Sequence, residues 1–202
     1  HPYHTNLEVP AWGQTDQPVK SLANHFLIAM PGLADENFNH SVTLICHHDD
    51  EGAMGIIINQ PLRLTLQELF NENGLQTDKL RNPGQAVFFG GPVRPDHLFI
   101  LHDNSQLWEN SLSINNNLCL TTSTDFLTAM AAGETIDNHL LSLGYAGWGP
   151  GQLEHEMIEN SWVYAVADNE IIFKTAAEKR WEEAAALAGI DLNKMTYYSG
   201  SA

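Results

Sequence analysis

Apolar and polar positions along the chain fall into short runs rather than long helical stripes. From Leu22 onward, eight runs rich in β-branched, aliphatic and aromatic residues are separated by turn residues: 24–30, 41–46, 53–59, 86–89, 98–102, 118–122, 140–145 and 162–165. Each reads as a strand, because such side chains fit a pleated, half-buried surface. The polar run His47-His48-Asp49-Asp50-Glu51-Gly52 between two of them reads as a solvated hairpin loop.

Helices are expected where start and stop signals bracket an apolar face. Thr65-Leu66-Gln67-Glu68 has the form of a capping box, followed by Leu69-Phe70 and closed by Gly74; Thr175-Ala176-Ala177-Glu178 has the same form before a longer helix ended by Gly189. In that last helix Ala177, Trp181, Ala184, Ala185 and Ala188 share one face, which predicts docking on the sheet. Residues 125–132, closed by Gly133, and 150–159, with Pro150 in the first turn, complete the set. Strands outnumber helices and do not alternate with them, so the fold class is α+β: a mixed, mostly antiparallel sheet with about four helices packed on it, in a single domain. Residues 1–21, with Pro2, Pro10 and Pro18 and no hydrophobic period, read as an extended or disordered N-terminal arm, leaving 22–202 as the domain.

Charge narrows the partners. The chain has 25 Asp plus Glu against 9 Lys plus Arg, a formal net charge of −16. Phosphate backbones repel such a surface, so no direct nucleic-acid partner is expected. No stretch approaches the roughly 18 apolar residues of a membrane span, and no basic-then-apolar leader opens the chain. Cys46 and Cys119 each lie in an apolar strand-like run and read as small unpaired hydrophobes, which suits a reducing compartment. A cytoplasmic protein is therefore expected, with a homodimer left open.

Signatures of known chemistry are few. There is no G-x-S-x-G elbow, no phosphate loop and no H-E-x-x-H. His155 and Glu159 stand one helical turn apart beside Glu154, and 47–51 is rich in His and Asp. An acidic helix face and a solvated loop explain both, and no metal and no cofactor is assigned. The run 144–153 (GYAGWGPGQL) is more specific: its glycines suit either a turn whose helix N-terminus receives an anion between Tyr145 and Trp148, or a packed turn with the aromatics in the core. A second glycine knot, Gly90-Gly91, follows a strand. His102, beside Asp103 at a strand end, has the reach of a general acid or base if the hydroxyls and carboxylate of 121–125 approach it, although such a histidine is more often simply hydrogen-bonded at a sheet edge and helix capping explains 121–125.

These motifs together carry a resemblance. The succession 25–31 (HFLIAMP), 52–61 (GAMGIIINQP), 89–93 (FGGPV), 99–102 (FILH) and 144–154 (GYAGWGPGQLE) closely resembles the YqgE/AlgH family of bacterial proteins, in order from about Leu22 to Ile190. The resemblance implies an α/β protein of the bacterial cytoplasm without an established biochemical activity, one branch being named for a regulatory effect on alginate production.

Two classes of function follow. The first is a non-enzymatic binding or regulatory protein that recognises a protein or small-molecule partner through Asn59, Gly90, Gly91, His102, Tyr145, Trp148 and Gln152. The second is a hydrolase-type enzyme with His102 as base, assisted by Thr122, Ser123 or Asp125. Transcriptional regulation by DNA binding comes third, against the charge.

Overall fold

The computed structural model describes residues 21–31, 38–103, 108–136, 138–159, 162–192 and 194; residues 1–20, most of the expected arm, lie outside them. In chain order the strands are β1 (His25–Ala29), β2 (Val42–Asp49), β3 (Gly52–Ile57), β4 (Pro61–Thr65), β5 (Ala86–Phe89), β6 (Val93–His102), β7 (Ser111–Asn115), β8 (Leu118–Thr121), β9 (His139–Trp148) and β10 (Trp162–Val166). The helices are α1 (Leu66–Glu72), α2 (Thr124–Ala131), α3 (Gln152–Ile158), α4 (Asn169–Phe173) and α5 (Ala177–Leu187).

The fold is α+β, in one domain. Strand order is β10-β1-β2-β3-β9-β6-β8-β7, with β5 joined to β4 and to β9 off this path. Every pairing is antiparallel except β5 with β9. β9 is the hub. It pairs with β6 along most of its length, while β5 lies beside Leu141–Leu143 and β3 beside Ala146–Trp148. Because β9 is clasped so widely, its apolar run is buried at Leu140 and Leu141 in succession rather than alternately.

Three apolar clusters close the faces. One joins Phe26, Leu44, Ile56, Leu101 and Leu140 of the sheet to Ile171 and Ile172 of α4 and to Ala184 and Ala185 of α5. A second sets Phe70 of α1 and Phe126 of α2 against Ile100 and Leu141. The third packs Leu22, Ala53, Trp148, Leu153 and Trp162. Burying such side chains contributes roughly 1.5–3 kcal/mol each.

The capping box at Thr65 forms as expected: Glu68 N–H donates to Thr65 Oγ1 at 3.2 Å and Thr65 N–H donates to Glu68 Oε1 at 3.0 Å. The matching motif at Thr175 does not. There α5 starts from Ala176 with no side-chain cap, and Thr175 Oγ1 donates to the Glu170 carbonyl and to Glu183. The reason is α4, a helix the sequence pattern did not show, which ends immediately before and draws Thr175 into its own C-terminus; among the described residues the helices therefore number five, where about four were expected. Pro150 likewise lies outside α3, whose N-cap is Gly151 at φ +73°. The strands β4 and β7 were also not foreseen, being short and half polar (PLRLT, SLSIN). The run 47–52 is a tighter hairpin than expected: β2 continues to Asp49, β3 begins at Gly52, and His48 is buried rather than solvated.

Candidate functional site

The glycine knots foreseen in sequence meet one another. Between Val93 and Leu98, β6 bulges away from β9, and on β9 the same place is occupied by Gly144 at φ +77°. Gly90 N–H donates to the Leu143 carbonyl at 2.8 Å, and Ile57 N–H donates to the Gly90 carbonyl at 2.9 Å. A Cβ at Gly90 would overlap Ser142 Oγ, and one at Gly91, where φ is +153°, would overlap the Tyr145 backbone. These glycines are needed for backbone crossing. Asn59 serves the same framework: its Oδ1 accepts from Val42 N–H at 2.9 Å and its Nδ2 donates to the His40 carbonyl at 3.0 Å.

The crossing leaves a groove of about 620 Å³ on the sheet. His47 of β2, Met54 of β3 and Gly147 of β9 stand opposite one another across three strands, and Val93 of β6 stands opposite Tyr145 of β9. Phe99 packs edge-on against Tyr145 at 5.5 Å. The hollow exists because residue 147 has no side chain: a Cβ there would meet only Tyr145 Cε2 at 3.5 Å and Val93 Cγ2 at 3.7 Å, ordinary contact distances. The rim is charged. On the hairpin side stand Asp49 and Glu51; on the other stands Arg94, held at φ +47°, a conformation that costs a non-glycine residue about 1 kcal/mol. The Asp49 carboxyl is held below its usual range, first by accepting the Glu51 N–H (2.8 Å) and then by His47 (2.9 Å), so this rim stays anionic.

Of the residues expected at a binding site, Tyr145 and Trp148 line the groove. Trp148 is only 6% exposed and its indole N–H donates to Glu156 Oε1 at 3.0 Å. Gln152 braces that pair from behind, accepting from Gly149 N–H at 2.9 Å and donating to Glu156 at 3.1 Å. The amide opening the turn before α3 thus already has an internal acceptor. Sequence reasoning missed Met54, Val93, Arg94, Phe99 and Gly147. The only signal available for Gly147 was its place among the glycines of 144–151.

His102 lies elsewhere, under α2. Its cross-strand neighbours are Cys119 and His139, and Phe126 packs on its ring at 5.7 Å. Its Nδ1 donates to the Asp103 carbonyl at 2.6 Å, which leaves Nε2 as a buried acceptor with no partner among the described residues. Burial holds its pKa below the ordinary value, favouring the neutral ring. Ser123 Oγ accepts from Asp125 N–H at 3.3 Å, capping α2, while Asp125 and Thr122 face solvent. Burial, and then Asp103, raise the Cys119 thiol, and burial alone raises that of Cys46, so both resist forming thiolates; both are free. Of the acidic helix residues, His155 and Glu159 approach only to 3.9 Å in solvent, and Glu154 turns inward to His48.

A mostly antiparallel sheet with helices packed on it and a hollow at Gly147 defines a class of groove-bearing α+β protein. The AlgH-like family model matches residues 26–193, and the chain belongs to the YqgE/AlgH family. It is 49% identical over 181 residues to UPF0301 proteins of Xanthomonas campestris pv. campestris (strain 8004) and Xanthomonas oryzae pv. oryzae (strain PXO99A), covering 90% of this chain and 96% of each relative. The solution structure of the AlgH protein from Pseudomonas aeruginosa superposes with a TM-score of 0.74 at 38% identity, over 91% of this chain and 97% of that one. A crystal structure of a protein from Corynebacterium diphtheriae, 21% identical, shares the fold with a TM-score of 0.66, over 85% and 89% of the two chains.

Proposed function

We propose that this is a non-enzymatic regulatory protein of the cytoplasm that acts by taking a small molecule or a segment of a partner protein into the groove between the β2–β3 hairpin and the start of β6. The groove itself is the observation that carries this reading. Its volume falls within the roughly 300–1,000 Å³ range of ligand sites, and its floor combines Met54, Phe99 and Tyr145 with a polar rim that can fix orientation. The net charge of −16 argues against nucleic acid as the partner. No helix among the described residues is long and apolar enough to cross a membrane.

The site residues divide accordingly. Tyr145 contacts the ligand, with Arg94, Asp49 and Glu51 reading its polar groups, whereas Trp148, Asn59, Gly90, Gly91 and Gln152 hold the walls. Catalysis by His102 with Ser123 or Asp125 has less support, because the ring is buried and both partners are engaged or turned to solvent.

A thermal-shift screen of metabolites and peptide pools tests the reading, since a ligand raises the melting temperature by mass action. Wild type is compared with Gly147→Val, which fills the hollow, and His102→Phe, which leaves it open. Hits abolished by Gly147→Val and retained in His102→Phe are expected. Hits that survive Gly147→Val would place binding elsewhere, and hits lost only in His102→Phe would restore the enzyme reading.

A further inference from the structure

His48 sits outside the groove floor, on the opposite face of β2 from His47. Its side chain is 1% exposed. Leu22 N–H donates to its Nδ1 at 2.8 Å, and its Nε2 stands 3.3 Å from Glu154 Oε1 on α3. A backbone N–H can only donate, so Nδ1 is the acceptor and the ring is neutral with its hydrogen on Nε2, the nitrogen nearer Glu154. Ser21 Oγ also donates to the His48 carbonyl at 3.2 Å. One residue therefore ties the start of the described chain to the sheet. The consequence for packing is direct, since Leu22 is 1% exposed and closes the cluster formed by Trp148, Leu153 and Trp162.

From this geometry we infer that His48 is a proton-operated latch: neutral, it anchors Leu22; protonated, it releases Leu22 and transfers its hold to Glu154. Protonation adds a hydrogen at Nδ1, where it faces the Leu22 N–H, and two donors cannot bond. The same step turns the Nε2–H contact with Glu154 into an ion pair, so the charge is received inside the protein. The charged groups that face the ring are Glu154 from α3 and, next along β2, Asp49, whose carboxyl feels His48. No charged group is supplied by the segment Ser21–Ala23. Both carboxylates can pair with an imidazolium, and the Leu22 N–H cannot bond to one. Release of Leu22 uncovers apolar surface beside Trp148 in response to acidification.

The test is amide hydrogen exchange on the full chain between about pH 8 and about pH 5, which brackets ordinary histidine titration. Rates are corrected for the intrinsic pH dependence of exchange and referred to Ile28 in the middle of β1. In wild type, protection of Leu22 falls about tenfold toward acid, the size of one hydrogen bond. In H48Q, whose side chain does not titrate, protection of Leu22 is flat. Unchanged protection in wild type, or the same acid loss in H48Q, would overturn the proposal. Should H48Q not fold, the ring ¹⁵N shifts of wild-type His48 decide: a bare Nδ1 at high pH whose protonation coincides with movement of the Leu22 amide supports the latch. A hydrogen on Nδ1 at high pH, or protonation that leaves the Leu22 amide in place, overturns it.

Discussion

Gly91, in the link between β5 and β6, and Gly147, in β9, both lie beside the same stretch of sheet, yet they do opposite things. At Gly91 the backbone has φ +153° and the space a Cβ would occupy is already filled by the Tyr145 backbone. At Gly147 no positive φ is required and the nearest neighbours are two side-chain atoms at 3.5 and 3.7 Å. The first glycine is needed to build the fold; the second is not, and its missing side chain leaves an opening. The comparison extends to the surroundings. Around the crossing Asn59 is bonded inward to His40 and Val42, and Ser142 Oγ donates to the Gly144 carbonyl. Around the groove Glu51 and Arg94 extend into solvent. Closed polar groups read as scaffold, and open ones around an apolar floor read as a recognition surface.

Substitution at the crossing is expected to have the largest effect. Gly91→Ala forces backbone against backbone and costs about 4 kcal/mol or more, enough to prevent folding of a marginal domain. Gly74→Ala is the control, because φ is +72° there but nothing lies within 4 Å of the added Cβ, and only about 1 kcal/mol of backbone strain follows. Urea unfolding of the two variants measures the difference. Equal losses would mean that φ alone, not the crossing, sets the requirement.

Arg180 comes next. It is 7% exposed, donates from Nε to the Thr175 carbonyl at 2.9 Å and from Nη1 to the Ile58 carbonyl, and lies over the Phe88 ring at 5.1 Å. Burial lowers its pKa to about 10, still far above neutrality, so the cation persists. Arg180→Met keeps the apolar stem but leaves the buried Ile58 carbonyl and the half-buried Thr175 carbonyl without this donor, at about 1–3 kcal/mol for the first and less for the second. A loss near 3 kcal/mol by denaturant unfolding is expected; a loss below about 1 kcal/mol would show that α5 docks through its apolar face alone.

Arg180 also shows what the sequence could and could not reveal. Its helix was legible from the spacing of Ala177, Trp181, Ala184 and Ala185, all of which pack toward the sheet. Its own burial was not, because a lone arginine on a helix is ordinarily exposed, and the Ile58 carbonyl that receives it lies 122 residues away. Strong local signals, such as the Thr65 capping box and the apolar run of β9, were readable because their partners lie within a few residues or within the same strand. The groove was readable only in part: Tyr145 and Trp148 stood out beside glycines, whereas Met54, Val93 and Phe99 look like any strand residue until three strands are brought side by side. His48 was misread for the same reason, since its partners Leu22 and Glu154 are remote in sequence.

Buried His102 under α2 and the solvent-facing groove rim also respond differently to acid. His102 is buried with its pKa lowered, chiefly by burial. As pH falls below the ordinary histidine value near 6.5, the unfolded chain binds a proton that the folded ring resists, so stability is full above that value and declines as pH falls toward the lowered one. His102→Phe removes this component and flattens the melting temperature between about pH 7 and about pH 5 relative to wild type. An unaltered slope in that variant would assign the acid sensitivity to other groups. At Asp49 on the groove rim the pKa is lowered by the Glu51 N–H and His47, but the group is exposed to solvent, so its titration contributes little to folding.

The smallest effect on stability belongs to Gly147→Val, and it is the sharpest test of the contrast. The new side chain enters a central strand, where a β-branched residue is preferred to glycine by up to about 1 kcal/mol, and it meets Tyr145 and Val93 without backbone strain. The melting temperature is therefore expected to stay level or rise slightly. The volume that valine adds is taken directly from the groove between Met54 and Tyr145, so any ligand of the wild type should be lost. A variant as stable as the parent and unable to bind separates recognition from folding at a single residue. If Gly147→Val unfolds as readily as Gly91→Ala, both glycines belong to the scaffold, and the groove is a by-product of the crossing rather than a site.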